Sequence, residues 1–62
     1  MREEERHARE AVHKAILLNM SISDAWFISK PGKLPILTMK ECESISDDYP
    51  VSIQKLWEIF TE

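Results

Sequence analysis

Twenty-two of the chain's 23 large apolar residues (Val, Ile, Leu, Met, Phe, Trp, Tyr, Cys) fall between Val12 and Phe60, and the first eleven residues hold only Met1. A chain of 62 residues makes one domain at most. So small a domain buries only about 60% of its unfolded surface, which leaves a thin stability margin. Such domains usually add a disulfide, a metal or a second subunit. Cys42 is the single cysteine, so an internal disulfide and a multi-cysteine zinc site are excluded. A second subunit is the remaining staple, and a homodimer or an obligate complex is expected. The fold expected over residues 1–62 is all-α: a small bundle of three to four helices with one Pro-containing extended strap. Residues 1–10 form a charged helical lead-in that has little to bury and is prone to fray.

The first helix is expected from about Arg2 to Asn19, a stretch without Pro or Gly. Glu5 to Arg9 and Glu10 to Lys14 are i,i+4 pairs in the favourable order. Ala8, Ala11, Val12, Ala15, Ile16 and Leu18 make one stripe at helical spacing, and Leu17 points away from it. The small residues Ala8, Ala11, Val12 and Ala15 admit a close neighbour, either the rest of the chain or the same helix of a second copy. Ser21 can cap a short second helix. There Ile22, Ala25 and Trp26 share a face while Phe27 and Ile28 lie off it. A helix apolar on more than one side is deeply buried or bridges two surfaces. Trp26 and Phe27 are therefore candidate interface anchors, with Leu17 as a third.

Lys30-Pro31-Gly32-Lys33 marks a tight turn. Leu34-Pro35-Ile36-Leu37 then runs extended, because Pro35 biases Leu34 away from helix. Thr38-Met39-Lys40-Glu41 has the form of a capping box. It opens a helix to about Ile45 whose buried side is Met39, Cys42 and Ile45. Ser46 to Pro50 reads as a polar turn, with Pro50 in the first turn of the last helix. That helix, about Val51 to Thr61, carries Ile53, Leu56, Trp57 and Phe60 as an amphipathic stripe.

Net charge is −3 and uneven. Lys30, Lys33 and Lys40 form a small basic middle, and Glu41, Glu43, Asp47 and Asp48 follow as an acidic block. The opening Arg2-Glu3-Glu4-Glu5-Arg6 does not resemble a signal peptide, and no apolar run approaches the roughly 20 residues that span a bilayer. A lone unpaired cysteine suits a reducing compartment, and a cytoplasmic protein without membrane contact is expected.

Catalytic constellations are missing. His7 and His13 are six apart and share no helix face, so the i,i+4 histidine metal site is absent. Cys42 on an apolar face is a small core residue, not a nucleophile. One Gly cannot build a phosphate loop. No enzyme activity, cofactor or metal is expected. From Thr38 to Phe60, capped helix, short turn and helix resemble the helix-turn-helix outline of small DNA-binding regulators. Leu37-Thr38-Met39-Lys40-Glu41 opens the first helix of that outline. The resemblance implies DNA contacts from Ser52, Gln54 and Lys55 of the second. Asp47 and Asp48 in the turn would repel phosphates, so nucleic acid is the alternative partner. The leading expectation is a small regulatory protein, an adaptor or inhibitor. It binds a larger protein through an apolar helix face, with Glu41, Glu43, Asp47 and Asp48 oriented to a basic surface.

Overall fold

The computed structural model describes residues 1–29 and 32–61. They form four helices, α1 (Glu3–Leu18), α2 (Ile22–Ser29), α3 (Met39–Asp48) and α4 (Ile53–Phe60), and no strand occurs among the described residues. The architecture is all-α, in line with the helical periodicities. The closest helix packing joins sequence neighbours, α1 with α2 and α3 with α4.

Helix α1 begins with Glu3, Glu4 and Glu5 in its first turn, carboxylates that suit the positive end of the helix dipole. Ala8, Ala11, Val12 and Ala15 point into the core of the same chain. The expected continuation of that stripe does not hold, since Ile16 and Leu18 are exposed. They lie roughly 70–90° from the centre of the buried face. Asn19 ends the helix in the left-handed conformation, φ 56° and ψ 52°, with its N–H donated to Ala15 O. Asn tolerates this geometry better than most residues. Ser21 Oγ then caps α2 by accepting from Asp24 N–H at 3.1 Å.

The charged lead-in is docked onto α3. Glu5 is buried and pairs with Arg9 at 3.1 Å. The second expected i,i+4 pair is not formed. Glu10 instead lies 3.5 Å from Arg6, and Lys14 donates to Ser29 Oγ at the end of α2.

Of the expected turn at 30–33, Lys30 and Pro31 lie outside the described residues. Gly32 has φ +121°, where an L side chain would be strained. Residues 33–38 carry no helix or strand. Leu37 in this segment is buried, and its N–H donates to Phe60 O at 2.9 Å, which fixes the segment against the end of α4.

Helix α3 opens on the expected capping box. Glu41 N–H donates to Thr38 Oγ1 at 3.2 Å, and Thr38 N–H donates to Glu41 Oε1 at 2.8 Å. Thr38→Ala should cost about 1 kcal/mol in a urea melt. A loss below about 0.3 kcal/mol would show that the cap is idle. The helix runs one turn further than expected, so Asp47 and Asp48 belong to its last turn rather than to a loop. Two carboxylates at a helix C-terminus oppose the dipole. Arg9 offsets one of them by donating to Asp48 Oδ2 at 2.5 Å. Cys42 and Ile45 are buried as expected, but Met39 is exposed.

The last helix starts two residues later than expected. Ser52 is its N-cap, accepting from Lys55 N–H at 3.1 Å, so Pro50 precedes the helix. Val51 closes the turn, its N–H on Tyr49 O at 2.8 Å and its carbonyl accepting from Ser46 Oγ at 2.7 Å. The expected amphipathic stripe is split. Leu56 and Phe60 are fully buried, whereas Ile53 and Trp57 are each 39% exposed. Ile59 packs partly on the core in their stead, so the buried face is rotated toward 56, 59 and 60.

Candidate partner-binding surface

Helix α2 places its apolar residues on two opposite sides. Ile22, Ala25 and Trp26 are buried. Asp24, Phe27 and Ile28, at i, i+3 and i+4 spacing, form the outward face. Phe27 is 50% and Ile28 62% exposed. Phe27 also walls a groove of about 360 Å³ lined with Leu34, Ile36, Ile59 and Lys33. Ile36, in the same lining, is exposed. This is an apolar ridge and an apolar cleft side by side, with one ammonium at the cleft's edge.

Trp26 belongs to the core. It is 7% exposed, and the His7 ring stands edge-on to it with centroids 6.3 Å apart. Its indole N–H has no hydrogen-bond partner among the described residues. Of the two aromatic anchors expected on α2, only Phe27 is on the surface, with Ile28 beside it.

Leu17 is 72% exposed on the outer side of α1. It lines a second, open groove of about 590 Å³ with His13, Lys14, Leu18, Ser29 and Tyr49. Tyr49 meets the His13 ring at 6.0 Å in an edge arrangement. Leu17 and Phe27 thus line two different grooves.

The acidic block divides into two pairs. Glu41 is buried and receives Arg2 in a bidentate grip, Nε to Oε2 and Nη2 to Oε1, both 2.6 Å. Arg2 Nη2 also donates to Ile36 O at 3.1 Å. The hydrogen bonds from Arg2, followed by the backbone N–H of Thr38, hold the Glu41 carboxyl at about 2 despite opposing desolvation. Asp48 is engaged by Arg9, which also donates to Glu5 at 3.1 Å and Ser44 Oγ at 2.6 Å. Glu43 and Asp47 are exposed, one turn apart on the outer face of α3, without an ion pair among the described residues. Two of the four expected partner-facing carboxylates are therefore internal fasteners.

Ala8, Ala11, Val12 and Ala15 lie inside the monomer, where packing by the chain's own residues accounts for their small size. Of the three residues expected to face DNA at α4, two have side chains engaged within the chain. Ser52 Oγ is the helix cap, and Gln54 Nε2 donates to Glu58 at 3.3 Å. Lys55 is exposed.

Comparison with protein-family models, curated proteins and solved structures finds no match to this chain.

Among the described residues no group of three or more His, Cys, Asp and Glu is placed to hold a metal ion. No described helix is long and apolar enough to cross a membrane. Cys42 is fully buried, and that burial pushes its thiol pKa up, the direction that suppresses nucleophilicity.

Sequence reasoning missed Ile28, Ile36 and the two arginine fasteners. Ile28 had a signal. Once Ile22, Ala25 and Trp26 share the inner face, Phe27 and Ile28 must face out together. The Arg2–Glu41 and Arg9–Asp48 ties had none, because those partners lie 39 residues apart along the chain; of the Arg9 contacts, only the pair with Glu5 follows from spacing.

Proposed function

We propose that this chain is a non-enzymatic interaction protein that regulates a larger protein by stoichiometric binding, as an adaptor or inhibitor. The outer face of α2 is the docking surface, with Phe27 and Ile28 as anchors and the cleft toward Ile36 receiving a partner side chain. Leu17 extends the contact from a second groove. Glu43 and Asp47 supply the acidic rim toward a basic partner surface and speed encounter more than they add affinity. The observation that carries this reading is that α2 is apolar on two sides and only one is buried in the chain. Exposed aromatic and aliphatic side chains grouped beside a cleft mark interaction surfaces in small soluble domains. A free, buried cysteine fits a reducing, cytoplasmic setting.

A DNA-binding role through Ser52, Gln54 and Lys55 has less support. The Ser52 hydroxyl and the Gln54 amide are engaged within α4, and Glu58 shares their side of the helix.

The test is site-specific photocrosslinking in cells that make the protein. A crosslinker at position 27 or 28 should give a discrete protein adduct, one at Gln54 should not, and Ile28→Glu should abolish the adduct from position 27. Adducts from position 54 alone would place the interaction on α4 and overturn this assignment.

A further inference from the structure

Part of the cover over Trp26 comes from a stretch of chain that adds nothing to the apolar core. That core takes its first residue at Ala8, and Met1 is 81% exposed. Within residues 1–7 only Glu5 is buried, and it pairs with Arg9 of its own helix. Arg2 reaches across to the rest of the fold, through its bidentate grip on Glu41 and its hydrogen bond to Ile36 O. Beyond this stretch, Arg9 fixes α1 a second time, to Asp48 and Ser44. Chain termini are poorly ordered unless tied down, and terminal turns open at the lowest free-energy cost in a fold. The turns before Ala8 can therefore unwind while the rest of α1 stays packed.

His7 belongs to those turns, and its ring stands edge-on to Trp26. The indole N–H of Trp26 is buried without a hydrogen-bond partner among the described residues. A buried donor left unpaired keeps its full desolvation cost, and such a group in a folded protein calls for a reason. A cover that opens supplies one, because the indole then meets water or an acceptor. We propose that residues 1–7 are a releasable cover over Trp26, held shut by Arg2 on Glu41, and that opening it lets the α2 docking surface use Trp26 as well as Phe27. The second half rests on the interaction reading above. Shut, α2 offers Phe27 and Ile28. Open, it adds a tryptophan, a residue type that dominates binding energy at interfaces. The release is electrostatic. Arg2 is half-exposed, so salt weakens its grip, and a guanidinium on a partner can replace it on the Glu41 carboxylate. The exposed Glu43 and Asp47 favour a partner of the same basic chemistry.

Trp26 fluorescence in a Trp57→Phe background, where it is the sole tryptophan, tests the cover on the free chain. Arg2→Ala should raise acrylamide quenching at least about threefold. Arg2→Lys should fall in between, because an ammonium cannot make the bidentate grip. Salt raised from about 0.05 M to about 1 M should increase quenching when Arg2 is present and leave Arg2→Ala unmoved. Melts followed by circular dichroism should stay cooperative, which assigns the exposed tryptophan to folded protein. His7→Ala gives the signal of the uncovered ring with the grip intact. Unchanged quenching in Arg2→Ala or in His7→Ala overturns the cover. If Arg2→Ala does not fold, Arg2→Lys and the salt series decide by the same criterion. The photocrosslinker at position 27 reads the effect on docking, and Arg2→Ala should raise the yield of its protein adduct. An unchanged yield overturns the gating of the docking surface and leaves that surface in place. No adduct with or without Arg2 overturns the docking surface and the gating together, while the cover is decided by fluorescence.

Discussion

Phe60→Ala should leave a large share of the protein unfolded at 37 °C. Phe60 is 1% exposed and heads the fully buried side chains by volume. Removing such a ring costs about 3–5 kcal/mol through lost transfer energy and the cavity left behind. A domain of this length holds roughly 3–9 kcal/mol in total, at roughly 0.05–0.15 kcal/mol per residue. The Phe60 carbonyl also anchors the Leu37 N–H, so disorder at this site releases the 33–38 segment as well. Urea melts followed by circular dichroism give the number. Trp57→Ala is the control, because the helical spacing treats the two positions alike while the fold leaves Trp57 at the surface. It should cost less than about 1 kcal/mol. Equal losses at the two positions would contradict the orientation of α4.

The second large effect is acid destabilisation through Glu41. Its carboxyl pKa falls from an ordinary 4.5 to about 2 in the folded protein. A depressed carboxylate contributes stability that is complete above the unfolded value and is lost as pH falls toward the folded one. Melting temperature should therefore drop between about pH 4.5 and pH 2. Glu41→Gln should cost roughly 1–3 kcal/mol at neutral pH, the range for hydrogen bonds to a charged group. The loss stays in this range because the Arg2 side chain is 48% exposed and water screens the pair. Gln still fits the capping box, so the variant isolates the charge. Its melting temperature should be flatter than the parent's in the same window. Identical slopes in the two proteins would remove Glu41 as the acid-sensitive group.

Local signals in the chain were legible where they involve groups three or four residues apart. The Ser21 cap, the Thr38–Glu41 box and the Ala8–Ala15 stripe follow from spacing alone. Spacing says which residues share a side, but not which way the side faces. That is why Trp57 could not be told from Phe60, or Trp26 from Phe27, until their neighbours were placed. The acidic block misled for a related reason. A run of carboxylates looks like one surface, yet a helix distributes it around its circumference. Glu41 and Asp48 turn toward α1 while Glu43 and Asp47 turn outward. Arginines near residue 1 decided that sorting, and no periodicity in the sequence connects them to α3.

The pairing of each helix with its neighbour in sequence has a consequence for kinetics. Folds dominated by local contacts close short loops first and reach their transition state quickly, in microseconds to milliseconds. The ties from Arg2 to Glu41, Arg9 to Asp48 and Leu37 to Phe60 connect distant parts of the chain and should form after the two helix pairs. Interactions absent from the transition state govern how fast a protein comes apart, not how fast it assembles. Arg2→Ala and Arg9→Ala should then steepen the loss of folded protein in stopped-flow unfolding while leaving the refolding limb of the chevron nearly unmoved. In this chain the arginines of the lead-in act as clasps on residence time in the native state.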